Sequence, residues 1–355
     1  MKSYVFPGDI DPKIMQLGAK PFMYMRTDEF SAINKESEEM LLDLIHCKGG
    51  RTIIYTGSGT GAMSAVVENY VSRLGSAFVI DGGSFGHRWW DMCQYYGVEA
   101  VDYKVEFGRD IDYDDLAQRV QREQPKVFLC QHHETSSGQL FDLERISEIC
   151  HRFGVSLVVD VISSFLAEPL DMDNLGIDIC ITSTQKGLNI PPGLSIIFLS
   201  KGIADFEWGH SGYYWDFEDN LRNLERGQTP FSPATILYLQ LHERLLQLKA
   251  EGGEKKNIED VRHRAQVFRT LCNKYGWQVL AENPSWAITG FQVQGFNGSG
   301  VKEPENRRVF KGLIEKYDTY IMPGGRDGFY RVSHMGLQTD EELRLLAERI
   351  AECLG

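Results

Sequence analysis

Val155-Ser156-Leu157-Val158-Val159-Asp160, with Lys186 following 26 residues after its acid in Ser183-Thr184-Gln185-Lys186-Gly187-Leu188, is the stretch that decides the fold. Residues 155 to 159 form a short, mostly apolar, β-branched run of the kind buried on both faces in a parallel sheet. The segment Ile177-Asp178-Ile179-Cys180-Ile181-Thr182 before Ser183 has the same character. Two such strands in one sheet put Asp160 and Lys186 at carboxyl ends, the edge along which open α/β sheets bind ligands.

The same pattern extends outward. Strand-like runs near 52 to 56, 77 to 80, 99 to 103, 126 to 131, 155 to 160, 177 to 182 and 194 to 199 alternate with helical patterns near 60 to 73, 86 to 96, 112 to 123 and 142 to 153. Alternation of this kind signals βαβ units, hence an α/β domain with a mostly parallel, doubly wound sheet. Gly75, Gly97 and Gly154 stand where helices end and a left-handed residue is wanted. Residues 201 to 230 read as irregular and aromatic-rich. Helical stretches near 231 to 250 and 255 to 275 follow, separated by Gly252-Gly253. Strands at 277 to 281, 286 to 295, 319 to 322 and 328 to 333, with helices at 303 to 317 and 339 to 353, predict a smaller α+β unit. The expected division is an arm over 1–20, a large domain over 21–250 and a small domain over 251–355, linked by the helix 255–275.

Composition narrows the chemistry. The chain has 355 residues, 42% of them hydrophobic and 25% charged, which suits a globular protein with a sizeable core. No apolar run approaches the length of a membrane span. A net charge of −13 disfavours nucleic acid and anionic membranes as partners. Seven dispersed cysteines without CxxC pairs fit buried reduced thiols rather than a disulfide or zinc framework. The opening residues, Met1-Lys2-Ser3-Tyr4-Val5-Phe6-Pro7, carry no leader pattern, so a cytoplasmic location is expected.

Strand ends carry the remaining signals. Gly57-Ser58-Gly59-Thr60-Gly61-Ala62 combines close-turning glycines with a helix start, a setting for a phosphate. Gly57, Gly59 and Ala62 also satisfy GxGxxA, and Asp81 ends the next strand, so a nicotinamide oxidoreductase is a rival reading. Phe85, after Asp81-Gly82-Gly83-Ser84, is either a core residue or a flat surface for an aromatic ring. His132 and His133 are adjacent on an extended run and point to opposite faces, so no metal site is expected. The hydroxyls of Thr135 and Ser136 look more useful than those imidazoles. Asp160 with Lys186 is what pyridoxal phosphate requires: an amine to hold its aldehyde as a Schiff base and an acid to keep its ring nitrogen protonated.

Together the motifs resemble the class V aminotransferases of pyridoxal phosphate fold type I, which include alanine–glyoxylate, serine–pyruvate and 2-aminoethylphosphonate–pyruvate aminotransferases. The resemblance rests on residues 57 to 63, Phe85-Gly86-His87-Arg88, His133-Glu134-Thr135-Ser136-Ser137-Gly138, Val159-Asp160, and Ser183 to Leu188 with Pro191-Pro192-Gly193. It implies that Lys186 binds the cofactor covalently and Asp160 pairs with its ring nitrogen. Phe85 would stack on the ring with Ile162 in the same pocket, and Ser58, Gly59, Thr60 and Gln185 would cradle the phosphate. Thr135 would bond the ring hydroxyl. Thr229, in Gly227-Gln228-Thr229-Pro230, resembles a threonine that reaches a neighbouring subunit's phosphate, which implies a homodimer. Arg331 matches the arginine for the substrate acid group, and Arg26 is a further candidate for anion recognition. Arg226 stands where relatives often carry an aromatic residue, and is open between the cofactor phosphate and a second substrate anion.

The implied activity is ping-pong transfer of an amino group from a small amino acid or aminophosphonate to a 2-oxo acid such as pyruvate or glyoxylate. Alternatives are another lyase of this fold or a desulfurase. The latter is demoted because no cysteine falls in 181–271 or 273–352.

Overall fold

The computed structural model describes residues 1–21, 23–293, 306–326 and 328–354. The last two positions of the strand expected over 286–295, and the first three of the helix over 303–317, lie outside them.

Seven strands form the central sheet in the order Arg51–Thr56, Leu194–Leu199, Ile179–Ser183, Ser156–Asp160, Val127–Gln131, Ser76–Asp81 and Glu99–Lys104. Leu194–Leu199 runs antiparallel to both neighbours, and the remaining pairings are parallel. Alternating side chains feed two apolar layers. Phe78 and Ile80 enter one core, while Ala77 and Val79 enter the other. Both faces are thereby covered by helices, and the strand interiors read as unbroken apolar runs.

The covering helices begin and end where local chemistry dictates. Asp112 and Asp142 each accept two backbone N–H bonds at the starts of Tyr113–Glu123 and Leu143–Phe153. Gly154, at φ 65°, closes the second. The stretch expected as one helix over 60 to 73 contains a π-helical turn, Val67–Val71, between Gly59–Val66 and Ser72–Leu74. Buried Asn69 explains the wider turn: its amide donates to the Ala65 and Trp215 carbonyls, and its Oδ1 accepts from the Phe217 N–H.

Four helices among the described residues escaped the sequence reading, two of them the short Pro12–Leu17 and Lys201–Ala204. Asp28–Leu44 covers the sheet through Phe30, Asn34, Ser37 and Leu41. Phe217–Leu224, capped by Asp216, falls within the stretch read as irregular.

Beyond residue 253, a four-stranded antiparallel sheet runs Gln278–Val279, Ile288–Gln292, Phe329–Ser333, Met322–Pro323. It packs with helices Gly253–Lys274 and Asp340–Leu354 around Phe268, Phe291, Leu343 and Ile350. The single strand expected over 319 to 322 is split. Thr319–Tyr320 pairs in parallel with Lys2–Ser3, and Met322–Pro323 joins the sheet. The chain start therefore belongs structurally to this later unit: Tyr4 enters its core, and the Ser333 N–H donates to the Tyr4 carbonyl. All seven cysteines are buried, and no disulfide forms among the described residues. Among the described residues no helix is long and apolar enough to cross a membrane.

Candidate active site

Asp160 is the last residue of its strand, and Lys186 sits in the turn that carries the chain from Ile179–Ser183 back into Leu194–Leu199. That turn is tightly determined. Thr184 donates its hydroxyl to the Pro191 carbonyl at 2.8 Å, and its N–H donates to the Leu194 carbonyl at 3.1 Å. A Cβ on Gly187 would meet the Phe165 carbonyl oxygen at 2.0 Å, so only glycine allows this approach. Both side chains face one cavity of about 120 Å³ at the carboxyl edge of the sheet.

Burial sets the charge state of the pair. Loss of water pulls the Lys186 ammonium down to about 7; the Asp160 carboxylate opposes this and the Arg331 charge adds to it. Burial also raises Asp160 to about 7, against the Ile162 N–H it accepts at 2.7 Å. The Lys186 Nζ lies 3.3 Å from the centroid of the Phe6 ring, a cation–π contact supplied by the N-terminal arm. Asn189 anchors that arm by donating to the Pro7 and Asp9 carbonyls at 2.7 and 3.2 Å.

At one end of the cavity lie Ser58, Gly59 and Thr60, the start of helix Gly59–Val66. Its N-terminal N–H groups and dipole favour an anion. Ser58 makes no side-chain cap bond, so its hydroxyl is left for other partners. Arg88 adds positive charge here and is held by donating to the Thr60 hydroxyl at 2.9 Å. A Cβ on Gly59 would come within 2.5 Å of Ile162 Cδ1, so Gly59 and Ile162 close this wall together. Gln185 lines the same cavity, and its Oε1 is buried with no hydrogen-bond partner among the described residues, as is the Ser183 Oγ.

Phe85 lines the cavity instead of entering the core, which decides between its two sequence readings. Buried Glu134 fixes its backbone. The carboxylate accepts the N–H groups of Phe85 at 3.4 Å and Gly86 at 3.0 Å, together with the Ser136 N–H and hydroxyl. Ser136 is thus spent on Glu134 and does not line the cavity, while His133, set aside in the sequence reading, does. Thr135 lines it as expected. Arg331 approaches from the smaller sheet, donating to the carbonyls of Thr135 at 2.8 Å and Pro323 at 2.9 Å. Those bonds aim a guanidinium whose buried Nε has no partner among the described residues.

Three expected site residues stand elsewhere. Arg26 donates to the Gln228 side chain at 2.9 Å and to the Thr229 carbonyl at 2.7 Å. Thr229 donates its hydroxyl to the Phe231 carbonyl at 2.8 Å. Arg226 is exposed and donates to Asn223 Oδ1 at 2.7 Å. None of the three lines the cavity that holds Lys186, and neither does Arg331, although its charge acts on Lys186.

His133, Arg88, Ser163 and Ser183 are cavity residues that sequence reasoning missed. Each lies within three residues of a strand end or a motif already identified, and that proximity was the available signal. The dinucleotide alternative gains no support: Asp81, its ribose acid, is bonded to His87 Nδ1 at 2.9 Å and Lys104 Nζ at 3.5 Å.

A buried carboxylate in need of a cation, an amine near neutrality, an aromatic wall, a helix start and unpartnered Gln185 and Ser183 oxygens together fit pyridoxal phosphate. The class-V aminotransferase family model matches residues 19–233. Over 98% of this chain and 86% of its own length, the alanine–glyoxylate aminotransferase of Callithrix jacchus is 29% identical. The soluble hydrogenase 42 kDa subunit of Anabaena cylindrica is 28% identical over 90% of this chain and 83% of its own length. The solved alanine–glyoxylate aminotransferase of Nostoc sp. superposes with a TM-score of 0.88 at 22% identity, covering 100% of this chain and 94% of its own, a likeness of fold. Family and fold thus agree with the cavity's chemistry, and the chain belongs to the class-V aminotransferases, transaminases dependent on pyridoxal phosphate.

Proposed function

We propose that this enzyme moves an amino group from a small amino acid or aminophosphonate to glyoxylate or a similar 2-oxo acid, with Lys186 and Asp160 as its catalytic pair. The observation that carries the reading is that these two groups face one buried cavity, both brought close to neutral pH by burial. Glyoxylate is favoured as acceptor because the named relatives include alanine–glyoxylate aminotransferase and the serine–glyoxylate aminotransferase of Hyphomicrobium methylovorum.

When bound, the cofactor supplies an aldehyde carbon for amine exchange and a cationic ring that withdraws electrons from the substrate Cα. The chain's own groups do the rest. Lys186, with its proton readily lost near pH 7, attaches the cofactor and then carries a proton to and from the substrate Cα. Asp160 keeps the ring nitrogen protonated, and its own burial penalty is relieved by that partner. Phe85 and Ile162 confine the ring. Ser58, Gly59, Thr60 and Gln185 bind the phosphate, and Thr135 bonds the ring hydroxyl. Arg331 receives the substrate carboxylate through its remaining donors.

Arg226 and Thr229 belong in this reading to a second copy's site, which makes a homodimer the working unit; their separation from the cavity of their own chain supports it. Arg26 then orders the 228–230 turn that approaches the partner. We also infer a cytoplasmic home, in keeping with buried cysteines that form no disulfide among the described residues, and a division into an arm over 1–20 and domains over 21–250 and 251–355.

The test is a half-reaction screen. Purified holoenzyme is mixed with single amino compounds, and its visible absorbance is followed without any oxo acid present. Alanine, serine or a similar small donor should bleach the band, and glyoxylate should restore it. A holoenzyme that responds to no amino compound would overturn the proposal.

A further inference from the structure

Along the cavity wall, three side chains form a continuous hydrogen-bonded line. His133 Nδ1 lies 2.9 Å from Ser163 Oγ, which lies 2.7 Å from Thr135 Oγ1. All three residues are buried, so bulk water does not compete for these bonds. Their placement follows from the backbone. His133 opens the two-residue strand His133–Glu134, Thr135 begins the turn that follows it, and both line the same cavity. Ser163 is three residues past Asp160, in a turn closed by the Ser164 and Phe165 N–H groups on the Val161 carbonyl.

Proton counting gives the line a direction. Burial away from water pushes the His133 imidazole down to about 3, so it is neutral and carries one N–H. Its Nε2 has no partner among the described residues. A buried N–H without an acceptor is rarer and costlier than a buried lone pair, so the proton resides on Nδ1 and is donated to Ser163. The Ser163 hydroxyl then chooses between Thr135 Oγ1 at 2.7 Å and the His133 carbonyl at 3.4 Å, and the shorter bond prevails. Thr135, having accepted, has its own proton free to turn into the cavity that it lines.

We propose that His133 and Ser163 are positioning residues that make the Thr135 hydroxyl an obligatory hydrogen-bond donor to the cofactor's ring oxygen. The inference rests on the role given to Thr135 above. The opposite tautomer would draw the Thr135 proton toward Ser163 and present a lone pair to an oxygen that carries negative charge. A one-way line also lets each bond polarise the next.

The measurement is the pH midpoint at which the holoenzyme's visible band changes. A donor at the ring oxygen stabilises its anion and lets the neighbouring nitrogen joined to Lys186 release its proton more readily. Losing the donor therefore raises the midpoint. Lys186, Asp160, Arg88, Arg331 and Glu134, the charged groups around the cavity, stay unchanged in every variant. Thr135→Val should raise the midpoint by about one unit, the worth of one charge-assisted bond, and Ser163→Ala, which leaves the Thr135 hydroxyl present but unsteered, should raise it by a smaller amount. The double variant should go no further than Thr135→Val alone. His133→Phe should raise the midpoint as Ser163→Ala does. His133→Asn, which keeps an N–H close to the Nδ1 position, should restore it. A shift with Thr135→Val but none with Ser163→Ala or His133→Phe overturns the line while leaving the Thr135 role intact. An unmoved midpoint in Thr135→Val overturns both. Absence of any visible band in the unaltered holoenzyme strikes instead at the attachment to Lys186.

Discussion

The cavity at the strand ends and the turn around residues 226 to 231 treat charge in opposite ways. In the cavity, Asp160 and Lys186 are buried with few protein partners, and each is pushed toward its neutral form. In the turn, the Arg26 guanidinium is engaged by Gln228 and the Thr229 carbonyl, and Arg226 reaches Asn223 at the surface. Both regions carry residues expected to meet anions. The difference teaches that unsatisfied burial marks the chemistry of the cavity, whereas Arg26, its donors spent on the turn beside it, marks architecture.

The sharpest way to break this contrast is Lys186→Ala. It should lower transamination by about 10³-fold or more and remove the cofactor's covalent attachment, read by mass spectrometry after borohydride reduction. Substantial surviving turnover would deny the cavity its special status.

Asp160→Asn probes the burial penalty itself, in the cofactor-free protein. Because the folded pKa of Asp160 is raised, this acid favours the fold at low pH. That support is lost as pH climbs from the unfolded value of about 3.9 to the folded value of about 7. The variant should therefore melt higher than the parent above pH 7, by on the order of 3 kcal/mol, with the gain vanishing near pH 4. An equal gain at both pH values would show that the carboxylate is not penalised.

Arg331→Met removes an aimed donor fork and should weaken kcat/KM for carboxylate substrates by about 10²-fold, the worth of two charge-assisted bonds. Binding of unreactive carboxylates should fall in parallel. On the other side of the contrast, Arg26→Ala should cost about 1–2 kcal/mol of thermal stability and leave the rate of the first half-reaction within a few-fold. A large loss in that rate would move Arg26 from architecture to chemistry.

Most of the central sheet was legible because fully buried strands must be apolar and their polar terminators stand out. Asp160 and Lys186 were legible for that reason. Helix Asp28–Leu44 was not, since Asn34 and Ser37 occupy two of its buried positions and interrupt the apolar period; the Asn34 amide is spent on the Gly227 carbonyl. Thr27, whose hydroxyl caps the helix, was the available cue. Helix Phe217–Leu224 is short and follows an aromatic-rich loop; Asp216 as its cap and the apolar spacing of Phe217, Leu221 and Leu224 were the available cues. The split at Ile321 was invisible because pairing with Lys2–Ser3 is a contact across more than three hundred residues. His133 was set aside on a metal-site argument, although its neighbourhood with Thr135 and Ser163 exists only in three dimensions.

The pairing of Lys2–Ser3 with Thr319–Tyr320 also orders events during synthesis. The central sheet has all its strands once residue 199 has been made. Lys2–Ser3 must wait for a strand more than three hundred residues later before it finds its place. The cover that Phe6 places over Lys186 is therefore fixed on both sides only once Thr319–Tyr320 is in place, Asn189 holding Pro7 and Asp9 from the earlier unit.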